Sequence, residues 1–284
     1  MGGRSLLPTF FVIGAAKAGT TSINNYLARH PQIEMAEPRE PHVMVSPIPE
    51  ERVALYGRHF RGGTELRGDC SPSYSVYPTH PRVSEHIAEM VPDARIVYMV
   101  RDPVERMISY YAQTVVHGVQ RQPAAVALDP VDDGNYYLAG SRYATQVEVY
   151  LRSFAPDRVM VVDQADLRDR RADVLRRCFA HVGADPDYWD GGFAVEHNVR
   201  GSDNVQLGAA GRALRGSGLN AASKRLLPTA TRRWLLGPIR RALGGGGFEP
   251  EVTPELRARI AEALAPEAAR LRELTGQRFA TWSV

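Results

Sequence analysis

The sequence predicts an α/β protein of three layers, a central parallel sheet with helices on both faces. Two stretches carry this expectation. The apolar run Phe10-Phe11-Val12-Ile13 leads through a glycine-bearing loop into the helix-like Ile23-Asn24-Asn25-Tyr26-Leu27, and Ala94–Val100, mostly apolar, runs straight into Arg101-Asp102-Pro103. Strands that read as continuous apolar runs and alternate with helices are buried on both faces, as in parallel sheets. At 284 residues the chain can bury one such core, so one domain over 1–284 is the simplest count.

The first connection is Gly14-Ala15-Ala16-Lys17-Ala18-Gly19-Thr20-Thr21-Ser22. Backbone N–H groups at the start of the following helix, with its dipole, form an anion site, while Gly14 and Gly19 let the chain bend and approach a ligand. The layout is P-loop-like. Gly14 and Gly19 keep the G-x-x-x-x-G spacing, but Thr20 stands where a nucleotide triphosphatase carries its lysine. The lysine sits inside the loop instead, at Lys17, placed to meet charge developing on a bridging oxygen at the end of a 5′-phosphate arm. That pattern points to group transfer without ATP hydrolysis.

Lys17-Ala18-Gly19-Thr20-Thr21-Ser22 resembles the 5′-phosphosulfate loop of the sulfotransferases that use 3′-phosphoadenosine 5′-phosphosulfate (PAPS). The chain looks like a bacterial member of that family, similar to the branch of heparan sulfate sulfotransferases. The resemblance implies PAPS as co-substrate, with the 5′-phosphate held by Lys17 through Ser22.

Arg101 follows a buried strand, and the carboxyl end of such a strand is the ligand edge of an open α/β sheet. Asp102 suits an N-cap, Pro103 the first helical position, and Glu105 the third position of a capping box. An arginine fork suits a phosphate dianion, and Ser109, roughly two turns along the helix, could add a hydroxyl. A strand ending in Arg-Asp-Pro with a serine eight residues beyond the arginine is similar to the family's 3′-phosphate site, which implies Arg101 and Ser109 as cofactor residues. The family also closes a basic loop over the 3′-phosphate; Arg200-Gly201 is the best match.

Between the two phosphate segments lies Glu37-Pro38-Arg39-Glu40-Pro41-His42, after a strand at Gln32–Met35. The prolines predict an extended segment in which Glu40 and His42 point the same way. Transfer to a hydroxyl needs a proton acceptor, and a carboxylate or imidazole within reach can serve. Relatives that sulfate sugars carry a similar Glu-x-His, which implies Glu40 as general base and His42 as an orienting or substrate-binding group. Relatives acting on phenols and steroids use a histidine base, so the two roles could be exchanged. Gly68-Asp69-Cys70-Ser71-Pro72-Ser73-Tyr74 resembles the family's Gly-Glu-Lys-Ser/Thr-Pro-x-Tyr segment, with Cys70 in place of the lysine. Loss of that lysine weakens the case for a highly anionic acceptor, and Asp69 is expected to repel one further.

Tyr143, Val147, Tyr150, Leu151 and Phe154 recur at helical spacing, and Pro156-Asp157 ends that helix before a strand at Arg158–Val162. These aromatics read as core, with Tyr143 near enough the helix start to border the cofactor. Leu167, Val174, Leu175, Cys178 and Phe179 predict one further amphipathic helix. Residues 200–248 read as a basic helical insert with an apolar side at Trp234, Leu235, Leu236 and Ile239 and a flexible exit at Gly244–Gly247. Such an insert could lie on an anionic membrane, hold an acidic acceptor, lid the site, or pack as a solvated face. Thr253-Pro254-Glu255 starts a capped helix, and Gly276–Trp282 resembles the family's Gly-Arg-x-Phe-x-x-Trp-like end.

Apolar residues at 44% and charged residues at 24% are ordinary for a globular chain, and a net charge of +3 gives no argument for nucleic acid. No apolar run approaches the roughly 20 residues of a membrane span. Leu6–Ile13 is better used as the first strand than as a signal peptide, which makes the cytoplasm the expected location. Cys70 and Cys178 are expected as free thiols, and eight scattered histidines give no metal-ligand pair. Sulfonate transfer needs no metal. The alanine- and arginine-rich composition suits a high-GC bacterium.

The expected activity is transfer of the sulfonate of PAPS to a hydroxyl of a carbohydrate, glycolipid or natural product. A P-loop small-molecule kinase is the first competitor, but it lacks the lysine after Gly19 and a magnesium-binding aspartate where Arg101 ends its strand. A non-catalytic module binding nucleotide or a membrane surface, working through the basic insert, is the second.

Overall fold

The computed structural model describes residues 6–46, 49–129, 134–194, 205–207 and 244–284. Its strands are β1 Phe10–Gly14, β2 Ile33–Met35, β3 Leu66–Cys70, β4 Arg95–Val100 and β5 Val159–Asp163. All five pair in parallel in the order β2-β3-β1-β4-β5. β1 is central, with Phe10 opposite Gly68 on one side and Arg95 on the other. Phe10, Phe11, Val12 and Ile13 are fully buried, as a strand covered on both faces requires. Strand order steps outward from β1 in both directions, so the carboxyl ends of β1, β3 and β4 open on one crevice.

Helices α1 Thr20–Leu27, α3 Val83–Met90, α7 Tyr143–Leu151 and α9 Arg171–Val182 bury Ile23, Leu27, Ile87, Val147, Leu175 and Phe179 in the core cluster of the sheet. Between them in the chain lie α2 Pro49–Tyr56, α4 Pro103–Val116, α5 Ala124–Ala127, α6 Tyr136–Ala139 and α8 Gln164–Asp169. A second apolar cluster joins Val104 and Met107 of α4 to Leu256, Ile260 and Leu264 of the C-terminal helix α10, Pro254–Thr275. The expected caps are present. Asp102 accepts from the Glu105 N–H at 2.9 Å, and Thr253 accepts from the Leu256 N–H at 3.2 Å.

Three expectations change. The stretch from Leu167 to Phe179 is two helices, because Asp163 caps α8 and Arg170, at φ −128°, interrupts the helical path before α9. Gly244–Gly247 is a strand, β7, paired antiparallel with β6, Val205–Leu207, and so is not a loose exit. The rest of the basic insert, with Arg200 and Gly201, lies outside the described residues. The segment before His42 is also not extended: Glu40 and His42 adopt φ of 61° and 53°. Glu40 precedes Pro41, whose ring favours extended backbone in the residue before it, so the turn stands against that local preference.

Candidate active site

The carboxyl edge of the sheet opens into a cavity of about 1010 Å³. Lys17, Gly19, Thr20, Thr21 and Ser22 form one wall; Arg101 and Ser109 form another; Glu40, His42 and Ser73 stand on a third. The volume lies at the upper end of the 300–1,000 Å³ range of ligand pockets, enough for a nucleotide with room for an acceptor. Of the sequence-predicted site residues, Ala18 is not on the wall. It is fully buried, and its N–H donates to the Ala15 carbonyl at 3.0 Å.

The loop is shaped by its glycines and held from α4. Gly19 caps α1 in the left-handed region, at φ 91°, and the first N–H···O bond of the helix runs from Ile23 to the Gly19 carbonyl. The N–H groups of Thr20 and Thr21 precede that bond, the usual donors for an anion at a helix start. Lys17 is also left-handed, at φ 71°. Arg101 Nη1 donates to its carbonyl at 3.2 Å, and Arg106 Nε donates to the Ala16 carbonyl at 3.1 Å. These contacts tie the two phosphate segments into one unit. Glu105 completes it, with carboxylate oxygens 3.8 Å from Arg101 and 2.5 Å from Arg257.

Arg106 is a structural residue that sequence reading passed over. It is buried, donates to the Tyr137 carbonyl at 2.8 Å and the Ser141 hydroxyl at 3.2 Å, and lies 4.9 Å from the centre of the Tyr110 ring. Its signal was an arginine between Val104 and Met107 on the inward face of an amphipathic helix, where a charge survives only with fixed partners. Tyr143 packs against Tyr98 and Trp282 at ring distances of 5.8 and 5.6 Å and is absent from the cavity wall, which makes it core.

Around Glu40 the side chains form a short polar array. Its carboxylate lies 4.0 Å from His42 Nε2 and 3.6 Å from Arg39 Nε. His42 Nδ1 and the Ser73 hydroxyl are 2.7 Å apart. Asp69 does not face the cavity, which corrects its expected role in repelling an acceptor. It is fully buried beneath this array and accepts from Tyr56 at 2.6 Å, Tyr74 at 2.7 Å and Ser71 at 2.7 Å. Cys70 is buried too, its thiol directed at the Thr20 carbonyl at 3.5 Å, and burial pushes its pKa well above the usual 9.0. Both cysteines are free.

Burial raises the Asp69 pKa above its ordinary 3.8, against the pull of its three donors. A carboxyl that holds its proton more tightly folded than unfolded contributes stability fully present below 3.8 and lost as pH rises through the raised native value. Asp69→Asn cannot titrate, so its melting temperature should fall less with rising pH across that window than that of the wild type. Thermal melts from about pH 3.5 upward measure the difference; parallel curves for the two proteins would contradict it.

An all-parallel sheet with a helix-capping glycine loop and an arginine at its ligand edge is a P-loop-like α/β architecture. Residues 35–190, more than half of the chain, match the Sulfotransferase family, and the chain belongs to that family. A crystal structure of a sulfotransferase from Alicyclobacillus acidocaldarius covers 98% of this chain and 99% of its own with a TM-score of 0.68 and 23% identity, a likeness of fold. Among curated relatives, the membrane-associated sulfotransferase kil1 of Dictyostelium discoideum is 33% identical over 110 residues, 37% of this chain and 22% of that protein. Human heparan sulfate glucosamine 3-O-sulfotransferase 6 is 32% identical over 160 residues, 54% of this chain and 45% of that protein. The chain thus spans about a fifth of the length of the first of these relatives and under half of the second. No described helix is long and apolar enough to cross a membrane.

Proposed function

We propose that this chain, as one domain over 1–284, transfers the sulfonate of PAPS to a hydroxyl of a carbohydrate, glycolipid or natural product. The observation that carries the reading is that one cavity joins the Lys17–Ser22 loop, the Arg101–Ser109 edge and the Glu40–His42 turn. The residues fit a doubly phosphorylated nucleotide: backbone donors and hydroxyls at the α1 start suit its 5′ arm, and Arg101 with Ser109 suits a 3′-phosphate at the other wall. Arg200 and Gly201 would close over that phosphate. The relatives named for sugar sulfation support a glycan acceptor. The cytoplasm is the proposed location, with the basic insert available for contact with an anionic membrane surface.

When bound, PAPS supplies a sulfonate on a phosphate leaving group. The acceptor oxygen forms its bond to sulfur as the sulfur–oxygen bond to phosphate breaks, and Glu40 takes the hydroxyl proton. Lys17 and the loop N–H groups meet the charge left on the phosphate oxygen, donors fixed before the reaction begins. His42 and Ser73 support Glu40 as the base. The 2.7 Å contact of Nδ1 with the Ser73 hydroxyl fits either tautomer; in the one where the hydroxyl donates, the imidazole carries its proton on Nε2, the atom 4.0 Å from the Glu40 carboxylate.

A labelled-sulfonate assay over carbohydrates, glycolipids and hydroxylated aromatics tests the proposal. The wild type should label at least one class, and Glu40→Gln should lower the rate about 10²–10⁴-fold, the usual worth of a positioned base. Binding of 3′-phosphoadenosine 5′-phosphate (PAP) should change less than about twofold in Glu40→Gln, since Glu40 serves the acceptor. No labelled product from any class, or full activity in Glu40→Gln, would contradict the reading.

A further inference from the structure

Two neighbouring residues with side chains, Glu40 and His42, sit in the left-handed region on the wall that carries the proposed base. Such conformations persist only where the surroundings over-determine them. The surroundings here are a hydrogen-bond relay from the core. The His42 N–H donates to the Ser71 hydroxyl at 3.0 Å, and the Met44 N–H donates to the Tyr74 hydroxyl at 3.0 Å. Each of these hydroxyls spends its single proton on the Asp69 carboxylate, at 2.7 Å in both cases. With that proton committed inward, the oxygen must present lone pairs outward, toward the two amides.

The geometry points to Asp69 as a positioning residue that holds the Glu40–His42 turn in its working conformation through Ser71 and Tyr74. The inference deepens the proposed function, because it rests on Glu40 and His42 being the acceptor-side groups. A buried carboxylate is costly unless fully bonded, and three donors to one carboxylate give charge-assisted bonds that polarise one another. An apolar residue at 69 would leave Ser71 and Tyr74 free to turn their protons elsewhere, and the amides of His42 and Met44 would lose a directed acceptor. Tyr56 supplies the contrast. It donates to the same carboxylate at 2.6 Å from the end of α2, has no part in the amide contacts of the turn, and is absent from the cavity wall.

The test compares Ser71→Ala with Tyr56→Phe in the full chain, since each deletes one hydroxyl bound to Asp69. Imidazole and amide NMR of the histidine-labelled protein reads His42 directly, with His42→Gln assigning its signals. Ser71→Ala should move the His42 ring resonances and speed exchange of the His42 amide by about tenfold or more, as loss of a protecting hydrogen bond does. Tyr56→Phe should lower the melting temperature yet keep both signatures. Tyr74→Phe, which cuts the other arm, should speed exchange at Met44 and serves if Ser71→Ala does not fold. Unmoved His42 signals in Ser71→Ala, or equal disturbance in Tyr56→Phe, would overturn the inference. Failure of the sulfotransferase reading would appear separately, as absent PAP binding by the wild type, and leaves this comparison valid.

Discussion

Lys17→Ala is expected to slow sulfonate transfer about 10²–10³-fold, the loss seen when a preorganised donor to a developing anion is removed. The substitution deletes the ammonium. The Lys17 carbonyl remains the acceptor of Arg101 Nη1, the neighbouring Ala16 carbonyl remains bound by Arg106, and Gly19 still caps α1. The loop therefore keeps its shape while the charge facing the leaving oxygen is gone. Single-turnover rates with labelled PAPS, at matched melting temperature, measure the effect. An unreduced rate would remove Lys17 from the mechanism.

Gly14→Ala should destabilise the fold far more than Lys17→Ala does. A Cβ at Gly14 would lie 2.0 Å from the Ser75 hydroxyl oxygen and 3.1 Å from the Pro72 carbonyl, on a backbone at φ 142° that side-chain-bearing residues rarely adopt. Ser75 is itself buried and its Cβ would also stand 3.3 Å away, so turning the hydroxyl aside must repack the core and still leaves a tight contact. Strained backbone and overpacking each cost about 1–3 kcal/mol, which together give a loss of roughly 2–6 kcal/mol. Urea unfolding measures it. Adding Ser75→Gly should recover the steric part and leave the backbone part; a stable Gly14→Ala would show that the β1–loop junction tolerates a side chain.

What was legible in the sequence was local. The apolar runs at 10–13 and 95–100, the Asp102-Pro103 helix start and the glycine spacing of the loop each depend on residues close in the chain, and all lie where expected. What was not legible depends on distant partners. Asp69 reads as an acidic residue next to a loop until Tyr56, Ser71 and Tyr74 are seen to converge on it. The turn at Glu40 and His42 is set by amide contacts to residues about 30 positions away, which outweigh the extended preference next to proline. Gly244–Gly247 carries no side-chain pattern, so only its partner Val205–Leu207 makes it a strand. The spacing from Leu167 to Val174 fits one helix, and the break at Arg170, at φ −128°, leaves no mark in that spacing.

Calorimetric titration with PAP, AMP and ATP, on the wild type and Arg101→Ala, tests most directly whether the Arg101 edge and the Lys17 loop hold the two ends of one nucleotide. Charged hydrogen bonds are worth about 1.5–3 kcal/mol, so Arg101→Ala should weaken PAP about 10–100-fold and AMP by a smaller factor, the latter through the lost bond to the Lys17 carbonyl. The wild type should prefer PAP to AMP by a similar factor without magnesium. Preference for ATP with magnesium, or PAP affinity indifferent to Arg101, would contradict the account.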